Sequence, residues 1–273
     1  MKKIVVNQSE MIRLADSEFT HIEINAKEEV SLNLLIEKQV QCSLFVECVE
    51  ASKCNMNVQV KEDANCTLLF WNSYDGDLEA MDTSEIERQG VLHLAYGELA
   101  KGNVKRKSTV ILKEEGAEVS LRTAVLSKEN KDFVLCCEHQ ARHTLSNMKN
   151  YYVLLENGTC RMDATGKINK GASGSKSHQV SKGLTFDQQK RAVIYPQLLI
   201  DENDVEASHA TTLGQIDENQ MYYLQSRGLS KKQATQLITT GYLMPIADEI
   251  EDEDLKERCQ KEIEMKVNES CSM

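Results

Sequence analysis

The chain has 273 residues, enough to bury a sizeable core in one domain or two, and its 32 Lys plus Arg against 43 Asp plus Glu give a formal net charge of −11. That balance argues against a nucleic-acid partner held by phosphate contacts. No apolar stretch approaches the roughly 20 residues that span a bilayer, and the opening MKKIVVNQSE is too short in apolar residues for a signal-peptide core, so a cytoplasmic protein without a membrane partner is expected. The nine cysteines are then expected as thiols, and their odd number agrees.

From the N-terminus to Pro196, the first of only two prolines, short apolar runs alternate with polar turns. Period-2 alternation of this kind predicts strands. Cys42, Cys54 and Cys66 stand 12 residues apart, each opening such a run: Leu44 and Val46, Met56 and Val58, Leu68 and Phe70. Side chains at i, i+2 and i+4 share one face of a strand, so each run offers one row for burial. Further rows follow at Val104, Val110 to Leu112, Val119 and Leu121, Val134 to Cys136, Tyr152 to Leu155, and Cys160 and Met162. The pattern is all-β and repetitive, and by itself leaves a sandwich and a solenoid both open. The basic stretch 101–107 (KGNVKRK) has no interleaved aromatics and reads as a solvated turn and strand edge, while 171–177 (GASGSKS) lacks the G-K-[ST] order of a phosphate loop and reads as a flexible turn.

Residues 194–228 carry the most specific signal. Pro196 closes an extended run, Leu198, Leu199 and Ile200 follow, then an acidic turn at 201–204, Ser208-His209, a Thr-Thr-Leu-Gly turn, and a helix capped by Asp217 that ends at Gly228. Ser230 is placed to cap a second helix through Ala234, Leu237 and Ile238 to Gly241, and 246–267 suits one or two amphipathic helices.

In its order of P-x-L, acidic turn, S-H, T-x-G, D-E and YYLQSRG, this segment closely resembles the signature of the SufB/SufD family of the SUF iron–sulfur cluster assembly machinery, on the SufD side. Glu138 to His143 resembles the family's histidine-containing strand and turn, and Ala164 to Ile168 its G-x-I step. The resemblance implies a right-handed parallel β-helix core over 1–215 followed by a small C-terminal helical domain over 216–273, in a short, core-only form. It further implies a non-catalytic scaffold subunit that works with an ABC-type ATPase, SufC-like, and with a SufB-like partner or a second copy of itself. A transient iron–sulfur cluster shared at the dimer interface is the implied cofactor, none being permanently bound.

His209 matches the histidine of the family's S-H-G-A-T motif, and an imidazole suits iron ligation or proton carriage. The chain departs from the family around it. Ala207 stands where SufD proteins often have a cysteine, Ala210 where SufB proteins have a glutamate, and the segment 179–183 (QVSKG) lacks the SufB cysteine. Cys136, His139 and Cys160 are the other candidates for a cluster or proton path, because residues 136–139 put two thiols, a carboxylate and an imidazole together. Cys136 and Cys137 must face opposite sides of a strand, however, so they cannot share one metal without a bulge. Cys42, Cys54 and Cys66 read as small buried side chains, and Cys259 and Cys271 as incidental residues of a charged terminus. For the ATPase dock, the family match points to Tyr223, Arg227, Leu237, Ile238, Tyr242 and Leu243. The competing classes are a carbohydrate-acting β-helix enzyme, which needs an export signal and grooved carboxylates, and a structural solenoid, which needs neither the His209 segment nor a helical tail. No paired-carboxylate spacing, Ser/His/Asp order or H-E-x-x-H helix marks an independent enzyme.

Overall fold

The structure, a computed structural model, describes residues 2–155, 158–185, 192–250 and 252–270. In chain order the strands are β1 (Lys2–Val6), β2 (Glu10–Leu14), β3 (Thr20–Asn25), β4 (Glu29–Ile36), β5 (Gln41–Glu50), β6 (Lys53–Val60), β7 (Asn65–Asn72), β8 (Leu78–Ile86) and β9 (Val91–Glu98). They continue as β10 (Val104–Leu112), β11 (Glu118–Ser127), β12 (Asn130–His139), β13 (Leu145–Leu154), β14 (Thr159–Ile168), β15 (Ser175–Thr185), β16 (Ala192–Ile200) and β17 (Val205–Gln215). The odd strands form one nine-stranded sheet and the even strands one eight-stranded sheet. Neighbouring strands run parallel, as from β5 to β7 and from β15 to β17. The chain is therefore a flattened β-solenoid, each coil laying one strand on each sheet.

Stacking explains the repeat seen in the sequence. Cys42 lies beside Cys66 on adjacent coils, whereas Cys54 sits on the opposite sheet between Val30 and Ala80, so 12 residues is half a coil. Coils lengthen along the chain: the Asn57–Asn33 ladder spans 24 residues and the Ser146–Ser177 ladder 31. All three cysteines are buried; burial pushes the Cys54 thiol well above its ordinary range, and the Cys66 thiol is pushed up first by its hydrogen bond with Cys42 and then by burial. One turn type recurs at one corner. Gln39, Asp63, Gln89, Gly116, His143 and Gly174 all adopt positive φ, and the amide of each bonds a carbonyl in the equivalent turn of the next coil. Gly116 and Gly174 meet this left-handed requirement without a Cβ penalty.

Inward rows are apolar through most of the solenoid, as in Leu44, Leu68, Leu94, Leu121 and Met148. Such burial stabilises by roughly 25 cal/mol per Å² of apolar surface. Midway the interior holds charge. Arg106, which belongs to the stretch expected to be solvated, is fully buried: it pairs with Asp82, donates from Nη2 and Nε to Glu98 at 2.9 and 3.1 Å, and lies 4.2 Å from the ring centroids of both Phe70 and Tyr96. Alternation decides this, since Arg106 shares the parity of Val104, Ser108 and Val110 on β10. Lys131 is also buried, and its ammonium donates to the Ala100 and Gly102 carbonyls. Ser175 and Ser177, expected in a flexible turn, are buried on β15.

Three helices follow: α1 (Glu218–Ser226), α2 (Lys231–Leu243) and α3 (Glu253–Ser270), with a 3-10 turn at Met244–Glu249. Asp217 caps α1, and Ser230 with Gln233 forms a full capping box on α2. The second helix passes through Gly241, the expected end, because Pro245 starts the next turn and Leu243 still has a core position. The helices lie on the outer face of the nine-stranded sheet, where Ile238, Leu243, Ile246, Leu255, Cys259 and Ile263 share a cluster with Phe45, Leu69, Trp71, Leu126 and Val153. Cys259 is thus a core residue and no incidental one, while Cys271 lies outside the described residues. Strand β17 ends at Gln215 and α1 begins at Glu218, and the strands and helices are joined by this common cluster. No helix among the described residues is long and apolar enough to cross a membrane.

Candidate functional site

The final coil is built unlike the others. Strands β16 and β17 end their respective sheets, so each has one edge with no strand beside it among the described residues. Pro196, expected to close an extended run, lies in the middle of β16, a position a proline tolerates because an edge strand has no outer ladder to feed. The acidic turn at 201–204 separates β16 from β17 as expected. His209 and the Thr-Thr-Leu-Gly segment, expected as turns, belong to the strand β17.

Register places His209 beside Gln179, which lies beside Met148, so His209 continues the row of Leu44, Leu68, Leu94 and Leu121. That row is covered coil by coil until it reaches β17. There it opens, and His209 is exposed while Gln179 below it is buried. Gln179 donates to the Gln197 carbonyl at 2.9 Å, but its own amide oxygen is buried without a hydrogen-bond partner among the described residues. Around it the last coil leaves Tyr195, Leu199, Ile200 and Leu213 exposed. An uncovered interior row flanked by two unpaired strand edges is a template for another chain.

The other candidates are not gathered at this end. Cys136 is half-buried on the outer face of the eight-stranded sheet, where burial and the Glu138 carboxylate push its thiol above the ordinary range. Cys137 faces inward and is fully buried, as the alternation required. His139 is inside the solenoid: Nδ1 meets Thr144 Oγ1 at 2.7 Å and Nε2 meets Ser146 Oγ at 2.8 Å, so both ring nitrogens are engaged. Burial lowers its pKa to about 4 and keeps it neutral. Thr144 and Ser146 pass the chain of hydroxyls to Ser175 and Ser177, at 2.8 and 3.0 Å, and Ser177 adjoins Ala207 of the open coil. Cys160 is buried beside Lys131, lining a cavity of about 460 Å³ with Asp132 and Arg161, and burial pushes its thiol up to about 12. None of these thiols is poised as a thiolate in this state. No group of three or more His, Cys, Asp or Glu donors includes His209 among the described residues.

The helical candidates separate by burial. Ile238 and Leu243 face the sheet and hold the helices down, and Tyr242 is partly covered. Tyr223 is 55% exposed and Leu237 53%, with Arg227 exposed and stacked 5.3 Å from the Tyr223 ring centroid. Tyr222, 74% exposed, is a further large exposed side chain on α1 and was not among the expected residues. Large exposed side chains on adjacent capped helices form a surface suited to a protein partner.

Fold and site together define a parallel β-solenoid with an open final coil and a helical tail folded against its flank. Comparison with known proteins assigns it: the SUF system FeS cluster assembly SufBD core domain matches residues 6–242, and the chain belongs to that family. It is 30% identical over 182 residues to the iron–sulfur cluster assembly protein SufD of Bacillus subtilis, an alignment covering 66% of this chain and 42% of that protein. Similarity to SufB of the same organism is 26% over 156 residues, covering 55% of this chain and 34% of the relative. SufD of Escherichia coli is 40% identical over 63 residues, 23% of this chain and 15% of that protein. The chain thus spans well under two thirds of the length of these relatives.

Proposed function

We propose that the chain is a non-catalytic, cytoplasmic scaffold subunit of a SUF-type iron–sulfur cluster assembly complex. In this reading the open coil of β16 and β17 pairs with a SufB-like chain or a second copy of this one, adding strands to the free edges and covering Leu199, Ile200 and Leu213. The observation that carries the reading is the uncapped row ending at His209, in a family devoted to cluster assembly. The cluster is cargo, held transiently at the new interface. His209, brought under the partner, supplies one borderline-soft nitrogen ligand or a proton relay, and the partner supplies the remaining ligands.

A SufC-like ABC ATPase is proposed to dock on the helices through the exposed Tyr222, Tyr223, Arg227 and Leu237. ATP-driven movement of the helices would reach the open coil through α1, which begins three residues after β17 ends. Light scattering of the purified chain, alone and mixed with a SufB-like protein and a SufC-like ATPase, tests the assembly. The reading expects a dimer or larger complex that binds the ATPase, and binding lost in Tyr223→Glu/Leu237→Glu. A chain that stays monomeric in every mixture contradicts it.

A further inference from the structure

At the opposite end of the molecule from the open coil, on the outer face of the nine-stranded sheet, lies a group outside the site proposed for cluster assembly. His21 and Glu23 are on β3 and Glu47 on β5, with Glu23 in register with Glu47 and His21 in register with Phe45. One imidazole nitrogen and one oxygen from each carboxylate lie within 4.8 Å of one another. His21 and Glu47 are only 4% and 5% exposed, and Nε2 of His21 is 3.1 Å from Oε2 of Glu47. The His21 ring is further fixed edge-on to Phe45, centroids 5.1 Å apart, and Ser73 donates to the other Glu47 oxygen at 2.9 Å. Three donors on two adjacent parallel strands therefore converge, and the orientations of His21 and Glu47 are already set by neighbours, which is how ligands of a metal site are held.

Two cations neutralise these carboxylates. Lys3 reaches Glu23 at 2.7 Å, and Arg258 of α3 pairs with Glu47. Both are long side chains standing on the solvent side, 50% and 45% exposed, whereas the donors beneath them are anchored. Each can swing into water without disturbing the strands. A divalent ion would replace two single positive charges by one double charge and leave the local balance unchanged.

We propose that His21, Glu23 and Glu47 form a binding site for a divalent first-row transition metal, which competes with Arg258 for Glu47. The imidazole favours such a metal over calcium or magnesium, and three protein donors leave positions for water. Because Arg258 ties α3 to the sheet, occupancy of the site loosens that clasp. The proposal is independent of the assembly reading, since it concerns the other end of the solenoid and needs no partner.

Cobalt(II) titration of the purified, reduced chain tests it, with visible absorption and equilibrium dialysis as readouts and calcium and magnesium as competitors. The expected result is one saturable equivalent whose spectrum lacks thiolate charge-transfer bands, undisturbed by excess calcium or magnesium. Glu23→Gln, half-buried and outside the core, should weaken binding roughly tenfold or more, as should His21→Gln. Arg258→Gln should tighten it several-fold, which a merely structural group of charges would not do. Circular dichroism of each variant verifies the fold. Absence of a saturable equivalent, binding unaltered in both Glu23→Gln and His21→Gln, a thiolate-type spectrum, or displacement by calcium or magnesium would each overturn the proposal.

Discussion

Replacing Arg106 by methionine tests whether the solenoid interior depends on its buried charges. The guanidinium faces Asp82 and Glu98, both fully buried, and among the described residues Glu98 receives one further side-chain donor, Asn72 Nδ2 at 2.9 Å. Methionine fills much of the space between Phe70 and Tyr96 but leaves two carboxyl groups inside without a countercharge. Breaking a buried pair in this way costs about 3–5 kcal/mol. Burial already holds the Asp82 carboxyl above its ordinary range, with Arg106 pulling it back, so in the variant Asp82 takes up a proton more readily and relieves part of the cost. The variant should therefore recover toward wild type as pH falls, because the wild type, in which Arg106 pulls the Asp82 carboxyl down, gains less from the same protonation. Urea denaturation followed by far-ultraviolet circular dichroism measures the loss, and a fall of roughly 10 °C in thermal midpoint accompanies it. Asp82→Asn/Glu98→Gln/Arg106→Met, which removes all three charges, should be markedly more stable than Arg106→Met alone. A loss below about 1 kcal/mol for the single variant, within what an exposed ion pair is worth, would refute the argument.

Three more outcomes are expected. His139 has a folded pKa of about 4 against an ordinary value of 6.5, so the unfolded chain binds the extra proton between these values and stability should fall as pH drops through that window, by about 3 kcal/mol in all; His139→Gln should flatten that part of the pH–stability curve. Deleting residues 217–273 uncovers Phe45, Leu69, Trp71, Leu126 and Val153 on the sheet, so the truncated chain should aggregate or bind a hydrophobic dye, and a soluble monomer with low dye binding would contradict the packing described. Leu213→Asp, at an exposed position of the final coil, should leave circular dichroism unchanged and abolish strand-mediated association, which sedimentation velocity would detect.

Much of this architecture is legible in the chain. Alternation marks the strands, Asp217 and Ser230 mark the starts of two helices, and the adjacency of Cys136 and Cys137 puts them on opposite faces of a strand. What alternation could not supply was the meaning of the 12-residue spacing, because half a coil and a full coil leave the same local pattern; only the pairing of Cys42 with Cys66 distinguishes them. Arg106 was misread for a different reason: its basic neighbours Lys105 and Lys107 suggested solvent, although its own parity with Val104 and Val110 placed it inside. His209 was read as a turn residue because its polar surroundings look like a loop. They are polar because the last row of the solenoid faces outward from the stack. Cys259 hid among charges that line the other faces of α3. The His21, Glu23 and Glu47 group is the least legible, since 24 residues separate Glu23 from Glu47 and only the coil repeat brings them together.

The central claim is that this scaffold assembles clusters where its interior row opens at His209. Anaerobic iron and sulfide analysis of the reconstituted complex tests it most directly, with wild type beside His209→Ala and Cys136→Ala at equal ATPase and partner content. The account predicts that His209→Ala lowers iron and sulfide together while Cys136→Ala, altered on the outer face of the other sheet, matches wild type. Full cluster content in His209→Ala with loss in Cys136→Ala would contradict it and move the chemistry to β12.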